Sequence, residues 1–319
     1  MGDILFDDET RMTVYPIMFP RIWDFYKLIK TTNWDISQID CSKDRDDFEH
    51  KLTHDEQQFI KNILAFFAAS DTIVNINLAE RFMSDVKCLE AKFVYGFQYM
   101  MENVHSEIYS MLIETLVSDS VEKQNLFKSV VSHPTIKNKA EWAFRYIKST
   151  SLTFAHRLVA FACVEGIFFS GAFCSIFWIK QRGIMHGLCL SNDYISRDEG
   201  LHTNFAVLLF DSLTTEQKIT NNEIINIIRS AVSIESEFIL SILPTSLKNM
   251  NSSAMIQYIQ FMADRLAVQF GCVKIFNVTN PFPFMEMINV DTKTNFFERR
   301  VSEYQTPNSK ARIFPKLLI

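Results

Sequence analysis

The chain has 319 residues, 48% of them apolar and 22% charged, with a net charge of −5; this allows a large core and one or two domains. Lys and Arg are scattered without a basic stripe, which excludes the electrostatic footprint of a nucleic-acid binder. Six cysteines without a CxxC pair, four of them in helix-like apolar context, argue for free thiols in a reducing compartment and against a disulfide framework or a zinc site.

The opening MGDILFDDET is acidic and has no signal-peptide core, and Gly2 lacks a Ser or Thr at position 6, so neither secretion nor myristoylation is expected. The protein is read as cytoplasmic. Residues 1–52 read as an irregular, polar N-terminal arm. Thr53 with Glu56 three residues on forms a capping box, which predicts a helix from there to about 83. Helices follow at about 89–117, 121–131, 136–148, 152–181, 191–211, 222–241 and 252–276. Only 8 Gly and 8 Pro occur in the whole chain, which favours long uninterrupted helices. The segment 281–319 reads as irregular, with Pro281, Pro283, Pro307 and Pro315. No stretch alternates like a strand, so the chain is all-α, organised as an arm (1–52), a helical domain (53–280) and a C-terminal segment (281–319).

The stretch from Leu158 to Ile179 carries a single charge, Glu165. It is long enough to span a hydrocarbon core of about 30 Å. However, Arg157 on one side and Lys180 and Arg182 on the other specify no orientation. A helix buried all round inside a protein fits better, and no membrane partner is expected. An unpaired carboxylate in such a core costs several kcal/mol or changes its protonation state, so Glu165 must meet something.

The inward stripes of four long helices, traced at steps of three and four, identify what it meets. The first carries Ile60, Leu64, Phe67, Asp71, Val74 and Leu78. The second carries Tyr95, Gln98, Glu102, His105, Tyr109, Leu112 and Leu116. The third carries Leu158, Ala162, Glu165, Phe169, Ala172 and Ile176, and the fourth Ile195, Glu199, His202, Ala206 and Leu209. Each is mostly apolar, with acids or a Glu-x-x-His pair near its middle. A helix with a lone acid is followed, at similar spacing, by a helix with Glu-x-x-His, and this happens twice. The i, i+3 spacing puts each Glu and His on one face. A lone Glu-x-x-His is common on solvated helix faces, and a lone buried acid is usually structural. Two of each, on four apolar stripes, point instead to a dinuclear metal site. Four carboxylates balance two divalent cations, and oxygen with imidazole nitrogen favours iron or manganese. One acid from each of two helices plus Glu-x-x-His from two others is the ligand set of dinuclear carboxylate bundles; here one single acid is Asp.

Five segments carry a resemblance: LAFFAASD (64–71), ENVHSEIYS (102–110), VEGIFFSG (164–171), ISRDEGLH (195–202) and KTNFFERRVSEYQ (293–305). Over about residues 16–305 the chain resembles the small, radical-generating subunit of class I ribonucleotide reductase, most of all its eukaryotic and viral members. The resemblance implies a ferritin-like helical bundle, a homodimer or hetero-pair of small subunits, and a large-subunit partner that holds and reduces the ribonucleotide. It implies a cofactor of two iron ions, with manganese possible, and a tyrosyl radical made with dioxygen. By the same resemblance Asp71, Glu102 and His105 bind one metal and Glu165, Glu199 and His202 the other. Tyr109 matches the radical tyrosine, and Phe169, Phe173 and Ile195 match its apolar pocket. Trp34, Asp198 and Tyr304 match the relay towards the large subunit.

Departures from the family pattern are Thr72 and Ile76, where Gly and Glu are common, and the partner-docking tail: the end TPNSKARIFPKLLI is basic and apolar, where the family ends in an acidic stretch with a terminal Phe that docks on the large subunit. Three rival readings remain. A ferritin-like iron oxidase would need no Tyr109, Trp34 or tail. A di-iron oxygenase or desaturase needs an open pocket by the metals. A support-type small-subunit paralogue would lack ligands.

Overall fold

A computed structural model describes residues 3–6, 11–128, 132–244, 247 and 250–285. Residues 1–281 belong to one compact unit. A second, 282–319, is described only at 282–285, where the chain is helical from 283. Tyr304, the segment 293–305 and the C-terminal tail therefore lie outside the described residues.

The described residues are helical, without strands. The capping box forms as the sequence predicts: the Thr53 hydroxyl accepts from the Glu56 amide and the Glu56 carboxylate accepts from the Thr53 amide. We number the helices α1 (Pro20–Lys30), α2 (Asp44–Lys51), α3 (His54–Asn77), α4 (Leu89–Leu116), α5 (Ser120–Phe127), α6 (Pro134–Ile147), α7 (Phe154–Cys163), α8 (Ser170–Lys180), α9 (His186–Ser212), α10 (Asn221–Ile242) and α11 (Ser252–Gln269). α3 packs on α4, α7 and α8 pack on α9, and α10 lies against α11, α6 and α7. The core between them is rich in Phe: Phe59, Phe66, Phe67, Phe82, Phe168, Phe169, Phe205 and Phe238 are all fully buried.

The structure corrects the sequence reading in four places. Residues 1–52 are not irregular throughout, because α1 and α2 lie there. α1 starts with Pro at its first position, where a missing amide hydrogen does no harm. The helix expected over 152–181 is interrupted by a π turn, Val164–Phe168, and α3 likewise continues through a π turn, Leu78–Phe82, to Asp85. α9 starts five residues before the expected 191, at His186. α11 stops at Gln269, short of 276, because Gly271 takes a left-handed φ of 78° and the buried Asp264 carboxylate accepts from the amides of Ile275, Phe276 and Val278, turning the chain back.

The start of α9 is capped from a distance. The Asp44 carboxylate accepts from the amides of Gly187 (3.0 Å) and Leu188 (2.7 Å), and Asp47 accepts from Met185 (2.8 Å). No local Ser, Thr or Asp signals this helix, since its caps come from α2. Gly187 is needed there: a Cβ would sit 2.6 Å from Cys41 Sγ and 2.8 Å from the Asp40 carbonyl. The Phe154–Lys180 segment that resembles a membrane span has 94% of its most apolar window buried inside the protein. All six cysteines are free. Asp44→Ala should destabilise the fold by about 1–2 kcal/mol through loss of this cap, measured by denaturant unfolding. An unchanged midpoint would show that α9 does not depend on α2.

Candidate metal centre

Four elements bring the charged groups together. α3 delivers Asp71, α4 delivers Glu102 and His105, the π turn delivers Glu165, and α9 delivers Glu199 and His202. All six are buried, Asp71, Glu102 and His105 completely. Gly166 lets α9 come close to the π turn: a Cβ there would stand 3.3 Å from the Thr203 side chain, next to His202.

Ligand atoms of Glu102, Glu165, Glu199 and His202 lie within 4.8 Å of one another. His202 Nδ1 is 3.0 Å from Glu102 Oε1 and 3.1 Å from Glu199 Oε2. His105 Nδ1 is 3.1 Å from Glu199 Oε1 and 3.4 Å from Glu102 Oε2. Glu102 and Glu199 thus each reach both imidazoles and stand between them, one oxygen to each. Assignment of one Glu-x-x-His pair per metal is the sequence reading; in the structure each glutamate bridges the two imidazoles. Asp71 is outside the tight four but faces the same groups, and its carboxylate is acted on by Glu102, His105, Glu199 and His202.

The electrostatics are those of acids crowded in a dry core. Burial, then Glu102, pushes the Asp71 carboxyl well above its usual range. Burial, then Glu199, does the same to Glu165. Burial also opposes the Glu199 charge, but hydrogen bonding to Glu165 and the two imidazoles outweigh it and hold Glu199 low. Burial pulls both imidazoles down, yet Asp198, Glu102 and Glu199 raise His105 well above its usual value, and Glu102 and Glu199 raise His202 to about 10. Burial thus favours the protonated form of Asp71 and Glu165, while the neighbouring acids favour the charged form of both imidazoles. Both Asp71 oxygens and Glu165 Oε2 have no hydrogen-bond partner among the described residues, while Glu102 Oε2 and Glu199 Oε1 have only His105 Nδ1 beside them. Buried polar atoms without partners are rare in native interiors. Carboxylates and imidazoles converging in this way fit a pair of divalent cations, which would satisfy them and neutralise the acids.

Three further features surround the cluster. Gln98, on the inward stripe of α4, was given no role by sequence reasoning; its amide donates to Glu102 (3.4 Å) and Glu165 (3.3 Å). The signal for it was a polar side chain on an apolar face. On the other side, Asp198 Oδ2 accepts from Trp34 Nε1 at 2.7 Å and lies 3.3 Å from His105 Nε2, while Arg197 holds Oδ1 and the Thr32 carbonyl. The Trp34 ring stacks on His105 with centroids 5.9 Å apart. The acid orients the imidazole and leaves Nδ1 facing the cluster.

Tyr109 is buried one turn after His105 on α4. Its hydroxyl has no partner among the described residues. Phe67 stacks on it at 4.4 Å, and Phe67 in turn touches Phe173 (5.2 Å) and Phe169 (5.8 Å). Ile195, one turn before Glu199, is fully buried. Burial, then Asp71, raises the phenol well above its usual value. The tyrosine is therefore kept as a neutral phenol, away from water.

Comparison with known proteins agrees with this geometry. Residues 11–281 match the family "Ribonucleotide reductase, small chain". A ribonucleoside-diphosphate reductase small subunit of Dictyostelium discoideum is 54% identical over 301 residues, covering 94% of this chain and 88% of that protein. The small chain of vaccinia virus (strain Ankara) is 52% identical over 305 residues, covering 96% and 94%. Among solved structures, the Rnr4 homodimer of Saccharomyces cerevisiae ribonucleotide reductase superposes with a TM-score of 0.82 at 39% identity, covering 95% of this chain and 92% of that one. The dimanganese(II) NrdF of Streptococcus sanguinis shares the fold, with a TM-score of 0.76 at 17% identity over 87% and 98% of the two chains. With a family match over most of its length and relatives more than half identical, the chain belongs to the ribonucleotide reductase small chain family.

Proposed function

We propose that this chain is the radical-generating small subunit of a ribonucleoside-diphosphate reductase. Asp71, Glu102, His105, Glu165, Glu199 and His202 hold the metal pair, and Tyr109 stores the oxidising equivalent. The observation that carries this reading is the Tyr109 hydroxyl. It has no partner among the described residues and lies among Phe rings one turn from six converging ligands. An iron oxidase has no use for such a tyrosine. The stacked Phe67, Phe169 and Phe173 rings beside Tyr109 suit the shielding of a radical better than the binding of an organic substrate. A support-type paralogue would not keep all six ligands and bring them together.

Held by these six residues, a pair of irons, or of manganese ions, would supply the dioxygen-dependent one-electron oxidation of Tyr109. The chain's residues do the rest. Tyr109 gives up an electron and its phenol proton together, because the buried phenol does not ionise alone. Asp71 is the carboxylate whose charge acts on it most strongly, and its unpartnered oxygens make it the acceptor we assign to that proton. Phe67, Phe169, Phe173 and Ile195 exclude water and reductants from the radical. Asp198 fixes His105 and links it to Trp34, which forms an exit from the cluster. From there Trp34 and Tyr304 pass the equivalent to a cysteine of the large subunit, which binds the ribonucleotide. The small chains pair, as the yeast relative does, as a homodimer or hetero-pair.

Tyr109→Phe should load metal as the parent does but give no tyrosyl radical by EPR after aerobic reconstitution with ferrous iron; a radical signal in that variant would exclude Tyr109. Metal uptake should release protons. Burial raises the proton affinity of Asp71 and Glu165, the neighbouring acids raise that of both imidazoles, and each group must be deprotonated to ligate. Affinity should therefore rise with pH across the neutral range, which manganese titration in weak buffer with a pH electrode would measure; pH-independent binding without proton release would count against this ligand set. A peptide of the last dozen or so residues should compete with large-subunit association, and no competition at high peptide concentration would place the docking contact elsewhere.

A further inference from the structure

Glu165 is carried on a π turn, and the place where that turn returns to α-helix is held from outside the helix. Phe169 is the junction residue between Val164–Phe168 and α8. Two carbonyls just before it take side-chain donors. The Ser170 hydroxyl donates to Ile167 (2.7 Å), and the Lys139 ammonium, from α6, donates to Phe168 (2.9 Å). π turns shift the register of the hydrogen-bond ladder; the Ile167 carbonyl also takes the Phe169 amide, whereas the donor to the Phe168 carbonyl comes from another helix.

Lys139 is an unusual donor to find there. It is 3% exposed, lies 2.5 Å from the Glu235 carboxylate on α10, and sits over the rings of Phe66 (3.5 Å) and Phe238 (3.8 Å). Glu235 is fully buried, and its Oε1 would lie 2.9 Å from a Cβ at Gly171, two residues past the junction. α10 therefore presses on the start of α8 at the only kind of residue that allows it. Burial opposes both charges, pulling Lys139 down to about 8 and pushing Glu235 up to about 7. A buried ion pair is often replaceable by apolar residues without loss of stability, so stability alone does not explain a charged pair among phenyl rings. Its contacts do: one end touches the junction carbonyl and the other touches the helix that packs on it.

We propose that Lys139 and Glu235 are positioning residues for Glu165: the pair clamps the π-to-α junction and so sets how far the Glu165 carboxylate reaches into the cluster. The proposal rests on the reading of Glu165 as a metal ligand. Neither residue touches the ligands directly; Lys139 acts through the Phe168 carbonyl, three residues from Glu165.

The test is the double variant Lys139→Met/Glu235→Leu in the full chain, which removes both charges and strands neither. Helicity and the unfolding midpoint check that it folds. Hydrogen exchange of the cation-free protein should then show amides at 164–170 exchanging at least about ten-fold faster, with α4 and α9 unchanged. Manganese titration should show two cations in the parent, one of them bound about 10–100-fold more weakly in the variant, the range typical of lost supporting contacts. Unchanged exchange at 164–170 together with unchanged affinities would overturn the clamp. If the double variant does not fold, Lys139→Gln/Glu235→Gln removes both charges but keeps polar side chains there. It should raise exchange at 164–170 in the same direction, and no change there would overturn the proposal. A parent chain that takes up no cation would instead refute the metal reading of Glu165, while the exchange measurement still decides whether the pair holds the turn.

Discussion

Four carboxylates share one dry interior, and the rest of the structure follows from the need to compensate them. Water is excluded around Asp71, Glu102, Glu165 and Glu199, and each acid repels the others at close range. An ionised carboxylate in such a medium is intolerable without counter-charge. Two imidazoles supply part of it, and a pair of divalent cations would supply the remainder. The long helices, the Phe-rich core and the close approach at Gly166 all serve to hold these groups at a few ångströms from one another.

The two sides of the cluster differ in polarity. Towards Tyr109 the neighbours are stacked phenyl rings, which offer neither proton acceptors nor electrons. Towards Trp34 there is a hydrogen-bonded sequence through Asp198, tied down by Arg197 and the Thr32 carbonyl. In the proposed function this asymmetry separates storage from exit. An apolar wall slows loss of the stored equivalent, while polar contacts couple the movement of charge to that of protons.

One of the two π turns among the described residues carries Glu165. A regular helix would set the side chain at 165 by its own periodicity alone. The π turn alters that direction, and Lys139 donates to the Phe168 carbonyl at its end. The N-terminal part shows the same economy. α2 caps α9 through Asp44 and Asp47, and Trp34, on the same stretch of chain, bonds to Asp198 further along α9. A single docking event thus both completes a helix and brings an indole to the edge of the cluster.

The sequence by itself determined the helical class, the capping box at Thr53, the four inward stripes and the acids and imidazoles that interrupt them. These are local properties: periodicity at 3.6, i, i+3 pairs and cap chemistry are written within a few residues, and acids on apolar stripes stand out against them. Only the tertiary structure decided the start of α9, because its caps come from Asp44 and Asp47, more than a hundred residues earlier. It alone also decided the π turn at Glu165, whose junction is held by a side chain from another helix. The bridging positions of Glu102 and Glu199, the contact of Gln98 with Glu165, and the Trp34–Asp198–His105 connection depend likewise on how separate helices lie against each other. No local pattern encodes a distance between helices; that distance is set by side chains packing from both at once.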